Sequence, residues 1–381
     1  MTRRHTVTRY APGKLFLAGE YAVVEPGNPA ILMAVDQYIG VTVTSTYHRS
    51  GFVNADLADV TVVSDLVPDE VRLRWRDGEL CGCGPWDEEV ACNRLAHVVS
   101  AIEVVDALRA QRDLPAPSLA VSVSSRLHAR GTKFGLGSSG AVTVATVDSV
   151  AASYGMELSP HERFRLAVLA TARVDPGPSG GDLAASTWGG WLAYRAPDRA
   201  AVLAMARCHG VEEMLREPWP HCEVRQLPPP AGLTLAIGWT GQPASTTSLV
   251  SELRRRNWRG SMSHQSFLKS SADCVGSAVR ALEQGDREEL LDAVRTARQM
   301  LVRLDKETQL GIFTDRLTAL CNTAEALGGS AKPSGAGGGD CGVALLPAEA
   351  SADVARLRAA WDVAGIVPLP ISSASQKGRV Q

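Results

Sequence analysis

The chain has 381 residues, of which 45% are hydrophobic, and its 39 basic and 41 acidic residues leave a formal net charge of −2. This length exceeds what one hydrophobic core usually organises, so we expect two domains. The balanced charge argues against nucleic acid or an anionic membrane as a partner, because no basic field would attract either. Any anionic ligand must therefore be held by local groups.

The sequence also indicates in which cellular compartment the protein is expected. It has no apolar run of membrane-spanning length, and the basic residues 1–5 are not followed by an apolar signal core, so we expect a cytoplasmic protein without a membrane partner. A reducing compartment argues against disulfides among the eight cysteines. A zinc site could be assembled from Cys81, Cys83, Cys92 and His97, but the spacing of these four residues is irregular.

The first part of the chain predicts strands followed by helices. Residues 6–47 alternate β-branched and polar positions, which is typical of strands, and residues 119–125 repeat the pattern. Residues 88–112 have helical spacing. Small residues over 138–154 predict a helix that stops at Gly155.

The next signals are a helix start and a domain boundary. Ser159 to Glu162 read as a capping box with proline at the first helical position, and the helix should end near Val174. Prolines between 218 and 230 place a boundary near residue 225, which gives domains 1–225 and 226–381.

The second domain mixes helices and strands. We expect a strand over 233–239, polar helices up to about 327, a strand over 341–346 and a helix over 351–364. No regular βαβ repeat is present, so the fold class is α+β.

Three glycine-rich segments stand out: residues 12–21 (PGKLFLAGEY), 134–140 (FGLGSSG) and 332–340 (KPSGAGGGD). Glycine permits positive φ and removes the Cβ that would keep a ligand away from the backbone. The middle segment opens a helix, and a helix N-terminus offers free N–H donors and partial positive charge. The pattern favours a phosphate-binding loop.

Other phosphate-binding patterns fit less well. Residues 135–140 match the dinucleotide pattern G-x-G-x-x-G, but the likely strand ends about ten residues too early, and the next element is another helix. The Walker pattern and the protein-kinase segments are absent.

Longer matches extend the pattern. Residues 11–23 read APGKLFLAGEYAV, residues 179–191 read SGGDLAASTWGGW, and the third segment continues to Gly342. In these features the chain resembles the GHMP small-molecule kinase superfamily, and within it bacterial phosphomevalonate kinases. The resemblance implies a ribosomal-protein-S5-domain-2-like N-terminal domain, a ferredoxin-like C-terminal domain and an active site between them.

The resemblance also implies an activity. The expected reaction is ATP- and Mg²⁺-dependent phosphorylation of (R)-5-phosphomevalonate to (R)-5-diphosphomevalonate, in the mevalonate route to isoprenoids, by a monomer or homodimer. By resemblance the middle segment holds the ATP phosphates, and Ser139 joins Mg²⁺. The alternative for the two serines of this segment is helix capping. The expected ATP-binding residues are Lys133, Gly135, Leu136, Gly137, Ser138, Ser139 and Gly140.

Lys14 and Asp182 are the expected catalytic residues. Because the second pKa of a phosphate monoester is about 6, the acceptor is largely ionised, and Asp182 should orient it rather than act as a strong base. Lys14 would offset charge between the attacking oxygen and the γ-phosphate, unless it is merely a solvent-facing strand lysine. The expected substrate-binding residues are Lys14, Glu20, Tyr21, Ser179, Gly180, Gly181, Lys332, Ser334, Gly335, Ala336 and Gly337.

Two departures from the superfamily pattern leave alternatives open. Arg173 stands near the position of an acidic metal ligand in many superfamily kinases, and in the loop 175–179 (DPGPS) one of the two prolines replaces an expected lysine or glycine. The alternatives are a kinase for another small acceptor such as mevalonate, a phosphorylating decarboxylase, and a non-catalytic nucleotide-binding sensor. Retention of both Lys14 and Asp182 argues against the sensor.

Overall fold

Two separate β-sheets organise the chain in the computed structural model. The structure describes residues 3–47, 58–129, 132–244, 246–256, 258–349 and 351–374. Both sheets carry helices, which confirms the predicted α+β class. Within the described ranges, no helix is both long enough and apolar enough to cross a membrane.

The elements up to residue 227 form the first sheet, a separate two-stranded hairpin and the helices of this part of the chain. The strands are β1 (Arg3–Ala18), β2 (Pro29–Tyr47), β3 (Val60–Ser64), β4 (Val71–Arg76), β5 (Glu79–Gly82), β6 (Ser118–Ser125), β7 (His128–Ala129), β8 (Thr132–Lys133), β9 (Trp191–Arg195) and β10 (Glu223–Leu227). The helices are α1 (Pro85–Asn93), α2 (Ala96–Gln111), α3 (Ser138–Ser153), α4 (Pro160–Val174), α5 (Gly181–Trp188), α6 (Arg199–His209) and α7 (Val211–Arg216).

The long strand β2 is the centre of this sheet. It pairs with β1 along most of its length, with β9 through residues 29–33 and with β6 through residues 39–46, in each case antiparallel. The strand order is β10-β9-β2-β6-β3-β4-β5, with β1 beside β2, and β7 and β8 form a separate hairpin. Helix α3 packs on β1 and β2, so the loop before α3 lies next to the first glycine segment.

The second sheet contains β11 (Leu233–Trp239), β12 (Ser330–Pro333), β13 (Cys341–Pro347) and β14 (Val367–Leu369). Its order is β12-β13-β11-β14, with every pair antiparallel. The helices of this part are α8 (Thr246–Arg255), α9 (Met262–Gln284), α10 (Arg287–Thr308), α11 (Asp315–Ala326) and α12 (Ser351–Val363).

Local signals placed most elements correctly. The capping box forms in both directions, since the Glu162 N–H donates to Ser159 Oγ at 3.2 Å and the Ser159 N–H donates to Glu162 Oε2 at 2.8 Å. The helical spacing over residues 88–112 belongs to two helices, α1 and α2, and the chain breaks between them. There the N–H groups of Arg94 and Leu95 both donate to the carbonyl of Val90.

Strand β10 still belongs to the first sheet and ends at Leu227, so the change of sheet falls between Leu227 and Leu233, just past the expected boundary. At Ala374 the chain is again beside the first sheet, because the Ala374 N–H donates to Ala34 O at 2.9 Å. All eight cysteines are free, and within the described ranges no cluster of metal-binding side chains supports the zinc set.

Candidate active site

The three glycine segments meet at one cavity of about 390 Å³. Residues from both halves of the chain contribute to its wall, so it lies where the two halves join. The described residues that line it are Lys14, Phe16, Glu20, Tyr21, Val23, Val24, Gly135, Gly137, Ser138, Ser139, Pro178, Ser179, Asp182, Ala244, Val250, Gly335, Ala336 and Asp340.

Lys14 reaches the cavity from β1. Its backbone N–H donates to Leu136 O at 2.7 Å, which joins the strand to the expected phosphate loop, residues 134–140. Its side chain crosses Gly137, where a Cβ would lie 2.8 Å from Lys14 Cγ, and its Nζ lies 5.2 Å from the Phe16 ring centroid. Lys14 is therefore not a solvent-facing strand lysine; its catalytic role stays a prediction.

Asp182 lies in the first turn of α5, after the left-handed Gly180 with φ of 78°. Its side chain packs against α3, since a Cβ at Gly140 would lie 2.6 Å from both Asp182 Cγ and Oδ2. The absence of a side chain at Gly140 is what lets the carboxylate occupy this place beside the phosphate loop.

The phosphate loop leads directly into α3. Gly135 and Gly137 both have φ of 75°, and Gly137 is the N-cap. In the structure no side chain caps α3, so the capping alternative for the two serines was wrong. Both Ser138 and Ser139 line the cavity, whereas Leu136 is buried, and Lys133 lies in β8 just before the loop.

The third segment joins the first through side-chain hydrogen bonds. Ser334 Oγ accepts from the Phe16 N–H at 2.7 Å and donates to Phe16 O at 3.1 Å. The Tyr21 hydroxyl donates to Ala336 O at 2.5 Å. Lys332 is fully buried and donates to Glu20. These contacts link the two halves of the chain beneath the cavity.

Not every residue expected to bind substrate reaches the cavity. Glu20, Tyr21, Ser179, Gly335 and Ala336 belong to its described lining. The described lining does not include the remaining members of the set, which are Gly180, Gly181, Lys332, Ser334 and Gly337. For Lys332 the reason is physical: its ammonium already has protein partners and no exposed surface.

Asp340 is a cavity residue to which the sequence analysis assigned no role. It ends the third glycine run with φ of 51°, is 8% exposed, and accepts the Ala244 N–H at 3.0 Å. Its carboxylate covers Gly135, where a Cβ would lie 2.2 Å from Asp340 Cγ. Burial raises the pKa of this carboxyl, opposed by the Ala244 hydrogen bond and the Lys14 charge. The sequence signal that could have identified Asp340 as a cavity residue is its position directly after a run of glycines.

The two departures are resolved in different ways. Arg173 pairs with Glu103 of α2 at 2.9 Å and is not among the described residues of the cavity wall. Burial raises the pKa of Glu103, opposed by a backbone hydrogen bond and by Arg173. Pro178 does line the cavity beside Ser179, whose carbonyl accepts from the Tyr194 hydroxyl at 2.7 Å.

A glycine loop at a helix N-terminus, with a lysine and an aspartate beside it, defines the site of a small-molecule phosphotransferase. Comparison with known proteins gives the family. Residues 96–190 match the GHMP kinases N terminal domain, and residues 278–363 match the GHMP kinases C terminal domain. The chain belongs to the GHMP kinases.

Within this family, the chain is similar to kinases of two kinds. The chain is 62% identical over 98% of both chains to a phosphomevalonate kinase of Streptomyces sp. strain CL190. It is 30% identical to a mevalonate kinase of Thermococcus gammatolerans, over 97% of this chain and 96% of the other. The Streptococcus pneumoniae phosphomevalonate kinase, solved with phosphomevalonate and AMPPNP, is 27% identical with a TM-score of 0.80, covering 97% of this chain and 100% of that one.

Proposed function

We propose that this protein is a phosphomevalonate kinase, transferring the γ-phosphoryl group of ATP to (R)-5-phosphomevalonate in the mevalonate route to isoprenoids. The observation that carries the proposal is the 62% identity over 98% of both chains to the Streptomyces enzyme. The site is consistent with it, because residues 135–139 lie at a helix N-terminus beside Lys14 and Asp182, where they would form an anion cradle.

The roles of the residues follow from phosphoryl-transfer chemistry. Catalysis of this kind depends mainly on positioning two anions and offsetting their charge. The backbone N–H groups of the phosphate loop would hold the ATP phosphates. Lys14 would offset charge between the attacking and transferred groups, and Asp182 would orient the acceptor phosphate, whose own ionisation makes a strong base unnecessary.

Mg²⁺ fits the oxygen donors of the cavity. The Ser139 hydroxyl and the Asp182 carboxylate both line it, and magnesium takes one or two such protein ligands together with phosphate oxygens and water. These two residues would hold the ion, which would neutralise part of the charge on the phosphates when bound. Arg173 does not oppose this assignment, because its partner is Glu103.

The test measures ADP release by the purified protein with ATP and Mg²⁺ in three parallel reactions. One contains 5-phosphomevalonate, one contains mevalonate, and one contains no acceptor. We expect turnover with 5-phosphomevalonate alone. Turnover only with mevalonate would replace the proposed acceptor, and no turnover with either would favour a nucleotide-binding sensor.

Mevalonate is the second candidate acceptor because mevalonate kinases also match nearly the whole chain, although at 30% identity. We further propose a cytoplasmic location and a monomer or homodimer. The two domains would meet after β10, at about residues 228–232. Size-exclusion chromatography with light scattering would decide the oligomeric state.

A further inference from the structure

Lys332 and Glu20 form a buried ion pair across the two halves of the chain. Lys332 is 0% exposed, and its Nζ donates to Glu20 Oε1 and, at 2.7 Å, to Pro333 O. Glu20 is 5% exposed and lines the cavity, whereas the described lining does not include Lys332. The ammonium therefore lies behind the carboxylate, out of reach of a bound ligand.

Glu20 has one carboxylate oxygen left for a ligand. Its Oε1 is occupied by Lys332, and the described part of the chain provides no hydrogen-bond partner for Oε2. An ionised carboxylate only accepts hydrogen bonds, so Oε2 suits a hydroxyl or N–H donor and repels an anion. An acceptor atom without a protein partner beside a cavity is a candidate ligand contact.

The charge balance of the cavity makes the partner of Glu20 important. Its described lining contains the carboxylates of Glu20, Asp182 and Asp340 but one lysine, Lys14. An acceptor that carries a phosphate and a carboxylate would meet excess negative charge there. Lys332 offsets one of these charges from behind without occupying space in the cavity.

The turn that carries Glu20 is held in a strained conformation. Tyr21 has φ of 62°, which is uncommon for a bulky residue, and such a conformation persists only where surrounding contacts hold it. Two contacts do so here, the Tyr21 hydroxyl bond to Ala336 O and the Lys332 bond to Glu20. Both come from the third glycine segment.

We propose that Lys332 is a positioning residue that acts through Glu20. It holds this carboxylate at the cavity wall and offsets its charge, so that Oε2 can accept a hydrogen bond from a hydroxyl of the anionic acceptor. The identity of that acceptor, 5-phosphomevalonate with its tertiary hydroxyl, rests on the proposed function. The inference replaces the direct substrate contact that the family resemblance implied for Lys332.

The test compares Lys332→Met, Glu20→Gln and the double variant with wild type in steady-state kinetics. In Lys332→Met the Glu20 charge is no longer offset, so we expect the KM for the acceptor to rise about tenfold or more, while the KM for ATP stays within about twofold. In the double variant the amide carries no charge, so most of that loss should be regained. Lys269→Met, at a lysine with an 84% exposed side chain on α9, is the matched control and should behave as wild type.

Hydrogen–deuterium exchange gives a second readout that does not need turnover. In Lys332→Met, exchange should accelerate in residues 16–24 and stay unchanged in residues 134–140. An unchanged acceptor KM, or unchanged exchange in residues 16–24, would overturn the inference. So would equal increases in both KM values that the double variant does not relieve, because they indicate a general structural defect. A wild type that fails to use 5-phosphomevalonate would instead defeat the proposed function, and the exchange data would still decide the role of Lys332.

Discussion

Replacing Gly140 by alanine should separate the position of Asp182 from the stability of α3. Gly140 lies in the first turn of this helix and is not among the positive-φ glycines, so alanine suits its backbone. Alanine is favoured over glycine within a helix by about 1 kcal/mol. A Cβ at this position, however, would lie 2.6 Å from Cγ and Oδ2 of Asp182.

The expected loss of activity follows from that distance. An ordinary contact of a Cβ begins at 3.4 Å, so the carboxylate must move by about 0.8 Å. A misplacement of about 1 Å at a reacting centre costs roughly 10²-fold in rate. We therefore expect kcat of Gly140→Ala to fall by about 30- to 100-fold, which corresponds to about 2–3 kcal/mol of transition-state stabilisation.

The assay is steady-state ADP release together with thermal unfolding. Gly276→Ala on α9 is the matched control, because the nearest atom to its new Cβ is Arg280 Nη1 at 3.6 Å. This control should keep its kcat and unfold at or slightly above the wild-type temperature. Asp182→Asn, which removes the carboxylate charge, should lower kcat by about 10²- to 10⁴-fold and sets the largest loss that Gly140→Ala can cause.

Two results would refute this reasoning. The first is a kcat of Gly140→Ala within about threefold of wild type, since a displaced Asp182 must cost more than that. The second is full additivity of the two losses in the double variant Gly140→Ala/Asp182→Asn. Additivity would mean that the two residues act independently, whereas residues in contact are expected to be coupled.

Three further substitutions test other parts of the site and fold. Lys14→Met should lower the rate constant of phosphoryl transfer about 10²- to 10³-fold in single-turnover assays. A smaller loss would mean that Lys14 takes no part in the chemical step. Burial raises the pKa of Asp340 in the folded state, so the folded protein binds this proton more tightly than the unfolded chain does. The resulting stabilisation is present at low pH and is lost as pH rises through the folded-state pKa. The melting temperature of Asp340→Asn, taken relative to that of wild type, should therefore be higher at pH 7 than at about pH 4. An equal difference in melting temperature at the two pH values would contradict this expectation. Ser159→Ala should lose about 1 kcal/mol in urea unfolding with unchanged kcat, and unchanged stability would argue against the capping box.

Short-range signals in the sequence predicted much of the fold correctly. The capping box at Ser159, the helix that follows Gly137 and the strand Leu233–Trp239 all lie where the pattern placed them. Each depends on backbone geometry and side-chain contacts within a few residues, which a sequence displays directly. The break at Arg94 and Leu95 carries no glycine or proline, so no short-range signal marked it.

In the candidate site, too, the features with a short-range sequence signal were predicted and those that depend on long-range packing were not. The glycine segments indicated the family and predicted a phosphate-binding loop, because glycine at positive φ is a local requirement that leaves a readable pattern. They did not reveal that Asp340 covers Gly135, a contact between residues more than 200 positions apart. A side chain's partner at that separation depends on how whole elements pack, and the sequence contains no local record of it.

The sequence by itself determined the α+β class, the membership in a kinase family and the residue types of the site. Only the tertiary structure decided how Lys332 is used. A lysine next to a glycine run is compatible with a ligand contact or with an ion pair, and the choice depends on what lies opposite. Glu20, 312 positions away, lies opposite here. A buried ammonium must have a partner, and packing supplied a carboxylate from the other half of the chain.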